Sequence, residues 1–563
     1  MRARARGKCI ALMRKKHGRN VIKHMTKKVK PEENQPKKIA IKVDNSSAKK
    51  VEAMLNLNAV IIGGSGTGKS RFFVKPNLLQ CNTSFVVTDP SGELLQSCGK
   101  MLERNGYVVK VFNLMNMEHS SNYNPFHYLK DYNGEFKADN VIKMINTFMM
   151  NMKPEGSGSG DPFWDDSTKL LLSAVCFLLV EIGDEDEQNF AMVLDIIRKA
   201  DVSENESGND EEKQSEFDAI FEERRKVNPK ALSVQYYDEF KQAAGKTLQS
   251  ILISTTTKLQ YFKLPGVRNL THKDTIHLET VGDVKTALFI IIPATDTTYN
   301  FLAAMMYTQL FDSLFDRAIQ KYGGRLKNHV RCLLDEFANI GKIPEFDKKL
   351  ATMRKHEISA TIILQNLAQL KRLYEKSWEE IPGNCDTMVY LGGKDQSTNE
   401  YISKELGKET IDTLSINKTK SRQGSTTYND GILGRELMQP NELAEMDNSE
   451  CIILIRGFPP FKTLKYRLEK HPRYKELEEC DKVNNTYALS SIHTEKEVEL
   501  LDVSFIASDD SFSELDYKKV EEVTVNIIGR KTNDFEPLDV SEETESKFEN
   551  VDGVYYKEIP VSA

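Results

Sequence analysis

The stretch that most constrains this chain is NAVIIGGSGTGKS, residues 58–70, in which a short apolar run leads into the pattern G-x-x-x-x-G-K-[ST]. A loop of this kind needs a buried strand before it and a helix after it, and RFFVKPNLLQ supplies the helix, so this part of the chain is α/β. The loop residues Gly63, Gly64, Ser65, Gly66, Thr67 and Gly68 let successive backbone N–H groups converge on phosphate oxygens. Lys69 then reaches the β- and γ-oxygens, and the Ser70 hydroxyl is a magnesium ligand. The expected cofactors are ATP and Mg2+.

The partner of such a loop is an acid at the end of another buried strand, and VRCLLDE, residues 330–336, provides it. Asp335 is the expected magnesium partner through water, and Glu336 the base that polarises an attacking water. Any strand can end in Asp-Glu; the upstream loop gives this one its meaning. Gln365 ends the next strand, where it can orient water or sense the γ-phosphate, or simply be a satisfied polar strand end. Arg354, in the helical KKLATMRKHE, is either a surface cation or a stabiliser of transition-state charge acting on a neighbouring subunit. An acid pair with a polar strand tip beside it points away from small-molecule kinases and toward ATP hydrolysis coupled to motion.

Lys69 and Asp335 are 266 positions apart, far more than one small nucleotide-binding unit needs. FVVTDP (85–90), GELLQSCGKMLERNG and YVVKVFNL (107–114) continue a strand–helix–strand rhythm, which predicts a parallel, doubly wound sheet. The rhythm then gives way to helical periodicity from about 135 to 265, interrupted by GSGSG at 156–160 and the acidic stretch 203–216, both expected to be surface loops. Strands resume at TALFIIIPAT (286–295), VRCLLDE, SATIILQN (359–366), DTMVYLGG (386–393) and CIILIRGFPP (451–460), with a mobile loop expected over 415–431. The expected organisation is a basic arm (1–50), a nucleotide-binding domain in two parts (51–134 and 271–475), an all-α insertion (135–270) and an acidic, partly disordered tail (476–563).

Charge is divided between the ends. Residues 1–50 carry 17 Lys or Arg against 3 Asp or Glu, whereas 501–563 carry 6 against 16. The basic arm suits anionic lipid headgroups or DNA phosphates, or is simply solvated. In the loop with Lys418, Lys420 and Arg422 the sole aromatic is Tyr428, which gives base stacking little support. Eight cysteines without C-x-x-C pairing read as reduced, buried thiols. The ten histidines show no metal-ligand cluster. Trp164 and the methionines of MINTFMMNM (144–152) read as apolar packing. The longest apolar run, LLLSAVCFLLVEI (170–182), has 13 residues, where a membrane span needs roughly 20, and no signal peptide is expected.

Taken together, the stretches GGSGTGKS, VTDPSGEL (87–94), NPF (124–126), DPFWDDSTKLLL (161–172), LLDEFANIGKIPEF (333–346), ILQNLAQLKRLY (363–374), NCDTMVYLGGKDQSTNEYISKELG (384–407) and HPRYKEL (471–477) resemble the type IV secretion coupling proteins, the TraG-like conjugative DNA-transfer ATPases, over roughly residues 55–475. The resemblance implies a RecA-like P-loop NTPase domain carrying an inserted all-α domain. It further implies a homo-hexamer around DNA at the cytoplasmic face of the bacterial cell membrane. Single-stranded DNA, a relaxase or effector protein and type IV secretion channel components are the implied partners. Arg354 and Gln365 fall where the family has an arginine finger and a glutamine near the γ-phosphate. Two departures stand out. Ser91 replaces the family's usual lysine, and the transmembrane helices with which most members begin are not present, so the chain either starts downstream of them or reaches the membrane through partners. The implied function is a motor that recruits a relaxase–DNA complex and pumps single-stranded DNA. The alternatives are a docking receptor for protein substrates and a related DNA-segregation translocase.

Overall fold

A computed structural model of the protein describes residues 55–152, 161–200, 215–243, 246–418, 426–492, 494, 549–551 and 554–556. The basic arm, the GSGSG stretch and the acidic stretch up to residue 214 lie outside the described residues. The chain divides into two units, Met1–Glu497 and Val498–Ala563, the second containing an antiparallel strand pair, Glu549–Val551 and Val554–Tyr556.

The first unit is built on a nine-stranded sheet. Its strands are β1 (Ala59–Ile62), β2 (Ser84–Asp89), β3 (Val108–Asn113), β4 (Thr286–Ile291), β5 (Val330–Leu334), β6 (Ile358–Leu364) and β7 (Thr387–Tyr390), joined by β10 (Glu450–Ile455) and β11 (Phe461–Leu464). They lie in the order β11-β10-β7-β1-β6-β5-β2-β4-β3, the first seven in sequence being mutually parallel and the last two antiparallel at one edge. The central strands are mostly apolar because both faces are covered, with polar exceptions such as Thr88 and Arg331. Val60 and Ile62 of β1 enter one core, Ala59 and Ile61 the other. At roughly 1.5–3 kcal/mol for each fully buried Val or Ile, this anchoring fixes the origin of the loop that follows β1.

On one face pack α1 (Lys75–Leu78) and α2 (Glu93–Arg104). Leu468, Leu477 and Tyr487 join that core, so the expected tail boundary at 475 falls inside packed structure. The opposite face carries the helical part of the chain. It comprises α3 (Ala138–Asn151), α4 (Pro162–Ile182), α5 (Phe190–Arg198), α6 (Glu216–Val227), α7 (Leu232–Phe240), α8 (Lys246–Lys258), α9 (Pro265–His272) and the long α10 (Asn300–Gln320). α3 to α8 fall within the 135–270 interval and α9 runs two residues past it, and α6 and α9 are helices that the periodicity did not reveal. The fold is therefore an α/β domain on a mostly parallel sheet with an inserted helical part.

The apolar run 170–182 is explained by α4, which starts with Asp161 capping the Phe163 N–H and Pro162 in the first turn. Its residues Leu171 to Leu179 are buried on all sides by neighbouring helices, as expected of a core helix. Among the described residues no helix is long and apolar enough to cross a membrane. Phe148, Phe190 and Phe262 of the insertion form one aromatic cluster, in which Phe148 and Phe262 meet Phe301 of α10 edge-on at 5.7 and 5.8 Å and tie the helical domain to the sheet-bound helix.

Three expectations need correction. The loop expected over 415–431 is cut back at both ends: β8 (Lys408–Lys418) and β9 (Thr426–Glu436) pair antiparallel, and residues 419–425, with Lys420 and Arg422, lie outside the described residues. The β-branched residues of TIDTLSI carried the strand signal that the polar composition obscured. Trp164 is 40% exposed and stacks edge-on against Phe163, so it is not an apolar anchor. Among the described cysteines, Cys480 is exposed and Cys385 half-buried, while the rest are buried.

Candidate nucleotide site

The parallel strands point their C-terminal ends to one edge of the sheet, which is where ligands of open α/β sheets bind. β1 delivers the phosphate loop there. Gly63 N–H donates to the Leu364 carbonyl at 3.0 Å and Gly64 N–H to that of Gly392 at 3.0 Å, so the loop is hung from β6 and from the end of β7. Gly66 and Gly68 adopt φ of 76° and 80°, the left-handed region. At Gly68 a Cβ would also lie 2.4 Å from the Phe72 ring, so both backbone and packing demand glycine. The helix opens with a π-helical turn, Ser70–Val74, before α1, and first-turn N–H groups have no intrahelical partner.

Around this loop the tertiary structure gathers five of the expected side chains. Ser70 Oγ donates to Asp335 Oδ2 at 3.1 Å. Lys69 Nζ donates to the Gly63 carbonyl at 3.1 Å and stands 3.9 Å from Glu336 Oε1. Gln365 Nε2 lies 3.0 Å from both carboxylate oxygens of Glu336. Burial pushes the Asp335 carboxyl above the ordinary aspartate range. Asp89, closing β2 beside β5, is pushed up to about 6 by burial, against hydrogen bonds from backbone amides such as Leu95 N–H.

Glu336 has φ 49° and ψ 47°, a rare conformation for a non-glycine residue. Strain of this kind persists where the surroundings over-determine it, and here it turns the carboxylate toward Lys69 and Gln365. The strand order explains why Gln365 takes part: β6 lies between the loop strand β1 and the acid strand β5. A hydroxyl and a buried carboxylate 3.1 Å apart form a hard-oxygen donor set suited to magnesium, with an ammonium group adjacent for phosphate. The residues present fit Mg-ATP.

Arg354 is not brought to this site. It is exposed in the short helical turn Arg354–His356 that precedes β6, whereas Gln365 follows the far end of that strand. Seven strand residues span roughly 20 Å, so Arg354 sits at the opposite edge of the sheet from its own chain's phosphate loop.

One residue of the site carried no sequence signal. Lys465, just past β11, is 5% exposed and donates from Nζ to the Thr67 carbonyl at 2.9 Å and to Asn448 Oδ1 at 3.0 Å. The same ammonium stands 5.6 Å from the centre of the Phe72 ring. Burial lowers its pKa from the ordinary lysine range. Nearby, Arg71 pairs with Glu469 at 2.5 Å, and Lys75 with Glu479 at 2.5 Å. The segment 465–479 thus braces the loop and its helix. Losing one charged hydrogen bond, worth about 1.5–3 kcal/mol, should raise KM for ATP about tenfold or more in Lys465→Met, with kcat within a few-fold. A KM within twofold of wild type in steady-state ATPase assays would reduce Lys465 to a packing role.

The family model described as type IV secretory system conjugative DNA transfer matches residues 18–490. A conjugal transfer protein TraG from Rhizobium radiobacter is 22% identical over 72% of this chain and 61% of its own length. Protein VirD4 from Agrobacterium fabrum is 22% identical over 75% of this chain and 60% of its own length. The chain therefore spans about three-fifths of these curated relatives. Among solved structures, the plasmid coupling protein TrwB in complex with the non-hydrolysable ATP analogue ADPNP superposes with a TM-score of 0.52 at 17% identity, covering 73% of this chain and 85% of that one. TrwB in complex with ADP and Mg2+ gives 0.50 over the same shares. At this identity the likeness speaks for the fold.

Proposed function

This chain belongs to the type IV secretory system conjugative DNA transfer family, and we propose that within it the protein is an ATP-driven coupling motor. In this reading it recruits a relaxase–DNA complex to a type IV secretion channel and moves single-stranded DNA through it. The observation that supports this most is the convergence of Lys69, Ser70, Asp335, Glu336 and Gln365 at one sheet edge. Ser70 and Asp335 would hold a magnesium ion, which would supply positive charge against that developing on the phosphates. Lys69 meets the β- and γ-phosphates, Glu336 takes the proton of the attacking water, and Gln365 keeps the Glu336 carboxylate oriented. Arg354 serves the site of the next subunit in a homo-hexamer. The helical domain, fixed to α10 by the aromatic cluster, is the element through which nucleotide state reaches the cargo.

Hydrolysis without DNA and hydrolysis driven by it differ in one measurable way. ATPase activity is expected to rise with single-stranded DNA at low salt and to lose that stimulation at high salt, because phosphate contacts are weakened by counterion competition. Turnover indifferent to DNA at every salt concentration would favour a docking receptor for protein substrates and reject the motor. Localisation at the cytoplasmic face of the cell membrane belongs to the same proposal, with attachment through partners or through residues beyond the described ones.

A further inference from the structure

The helical domain leaves the sheet after β3 and rejoins it before β4, and the two crossings run side by side. Tyr123 N–H donates to the Leu270 carbonyl at 2.9 Å and Thr275 N–H to that of Asn122 at 3.0 Å. The Tyr128 hydroxyl donates to Asp274 Oδ2 at 2.8 Å and accepts from Leu278 N–H at 3.1 Å. At this seam His127, on the outgoing crossing, meets His277 and Glu279 on the returning one. One ligand atom from each of the three lies within 4.8 Å of the others. His277 Nδ1 is 3.6 Å from Glu279 Oε1, His127 Nε2 is 4.0 Å from the same oxygen, and the imidazole rings are 5.5 Å apart. The histidine spacing had given no cluster; the fold brings together two that are 150 positions apart.

We propose that His127, His277 and Glu279 bind a divalent cation of the zinc class, which clamps the two crossings at the base of the helical domain. Zinc bonds of 2.0–2.2 Å in a tetrahedral arrangement put ligand atoms roughly 3.3 Å apart, so small side-chain rotations close the site. Two further observations concern the same residues. Glu279 Oε2 is buried with no hydrogen-bond partner. His277 is held at φ 50° by its N–H bond to the buried Asp274 carboxylate, which sets the imidazole facing Glu279. Two imidazoles and one carboxylate select a borderline cation over magnesium or calcium, which favour all-oxygen shells. Water completes the coordination on the exposed side. The site is separate from the magnesium position at Ser70 and Asp335.

The test uses the full chain, stripped with chelator and titrated calorimetrically with zinc, with ATP binding measured in parallel as a control for folding. Wild type should bind one more equivalent than His127→Ala/His277→Ala. Its melting temperature should rise with zinc, and amide exchange over 122–129 and 273–281 should slow. Glu279→Gln should bind at least tenfold more weakly while binding ATP normally. Equal zinc stoichiometry in wild type and the double variant would overturn the proposal, because zinc would then sit elsewhere, for example at Cys480. Zinc binding at the seam that leaves exchange over both segments unchanged would overturn the clamp. Should the double variant fail to bind ATP, the single Glu279→Gln comparison decides.

Discussion

Glu336→Gln should bind ATP about as well as the wild type and hydrolyse it roughly 10² to 10⁴ times more slowly, the range over which a positioned general base accelerates proton transfer. The substitution keeps size and shape and removes only the basic oxygen. Lys69, Ser70 and Asp335, proposed to carry the binding contacts, keep their mutual geometry. The hydrogen bonds from Gln365 to Glu336 at 3.0 Å become amide–amide contacts and survive in part. Binding is checked with a fluorescent ATP analogue, and hydrolysis by phosphate release with saturating single-stranded DNA. Turnover within threefold of wild type would remove Glu336 from its role and leave its left-handed backbone without a functional reason.

Arg354→Ala should lower DNA-stimulated hydrolysis by a factor of about 10³ to 10⁵, the effect of losing an arginine finger. The residue is exposed and lies a whole strand away from its own chain's loop, so a finger role for it requires a second copy. This geometry permits a sharper test. Mixed assemblies of Arg354→Ala with Lys69→Ala place an intact Arg354 beside an intact phosphate loop at some interfaces. Those mixtures should regain activity that neither variant has alone. A loss of only a few-fold in the single variant, or no recovery on mixing, would make Arg354 a surface cation.

Much of the nucleotide site was legible because its chemistry is local. A glycine loop between an apolar strand and a helix must carry φ values that glycine tolerates, and Gly66 and Gly68 do. Apolar strands ending in Asp-Glu or Gln were equally readable, since parallel strands buried on both faces leave little room for polar residues except at their tips. The helical insertion was visible as a change of period from 2 to 3.6, although α6, with its charged sequence EFDAIFEERRKV, escaped. The hairpin β8–β9 escaped for the opposite reason: its polar composition mimics a loop, and pairing between strands is non-local.

The sequence by itself determined that a glycine-rich G-x-x-x-x-G-K-S loop lies between a strand and a helix, that an apolar strand ends in Asp335 and Glu336, and where helical periodicity interrupts the strands, because each rests on spacing along the chain. Only the tertiary structure decided that β6 lies between β1 and β5, which puts Gln365 on Glu336 and sends Arg354 to the opposite edge. It alone brought Lys465 to the Thr67 carbonyl across 398 positions, and His127 to His277. Such contacts are set by strand order and by where the crossings of an inserted domain meet. No local periodicity encodes either, because both follow from burying two faces of one sheet at once.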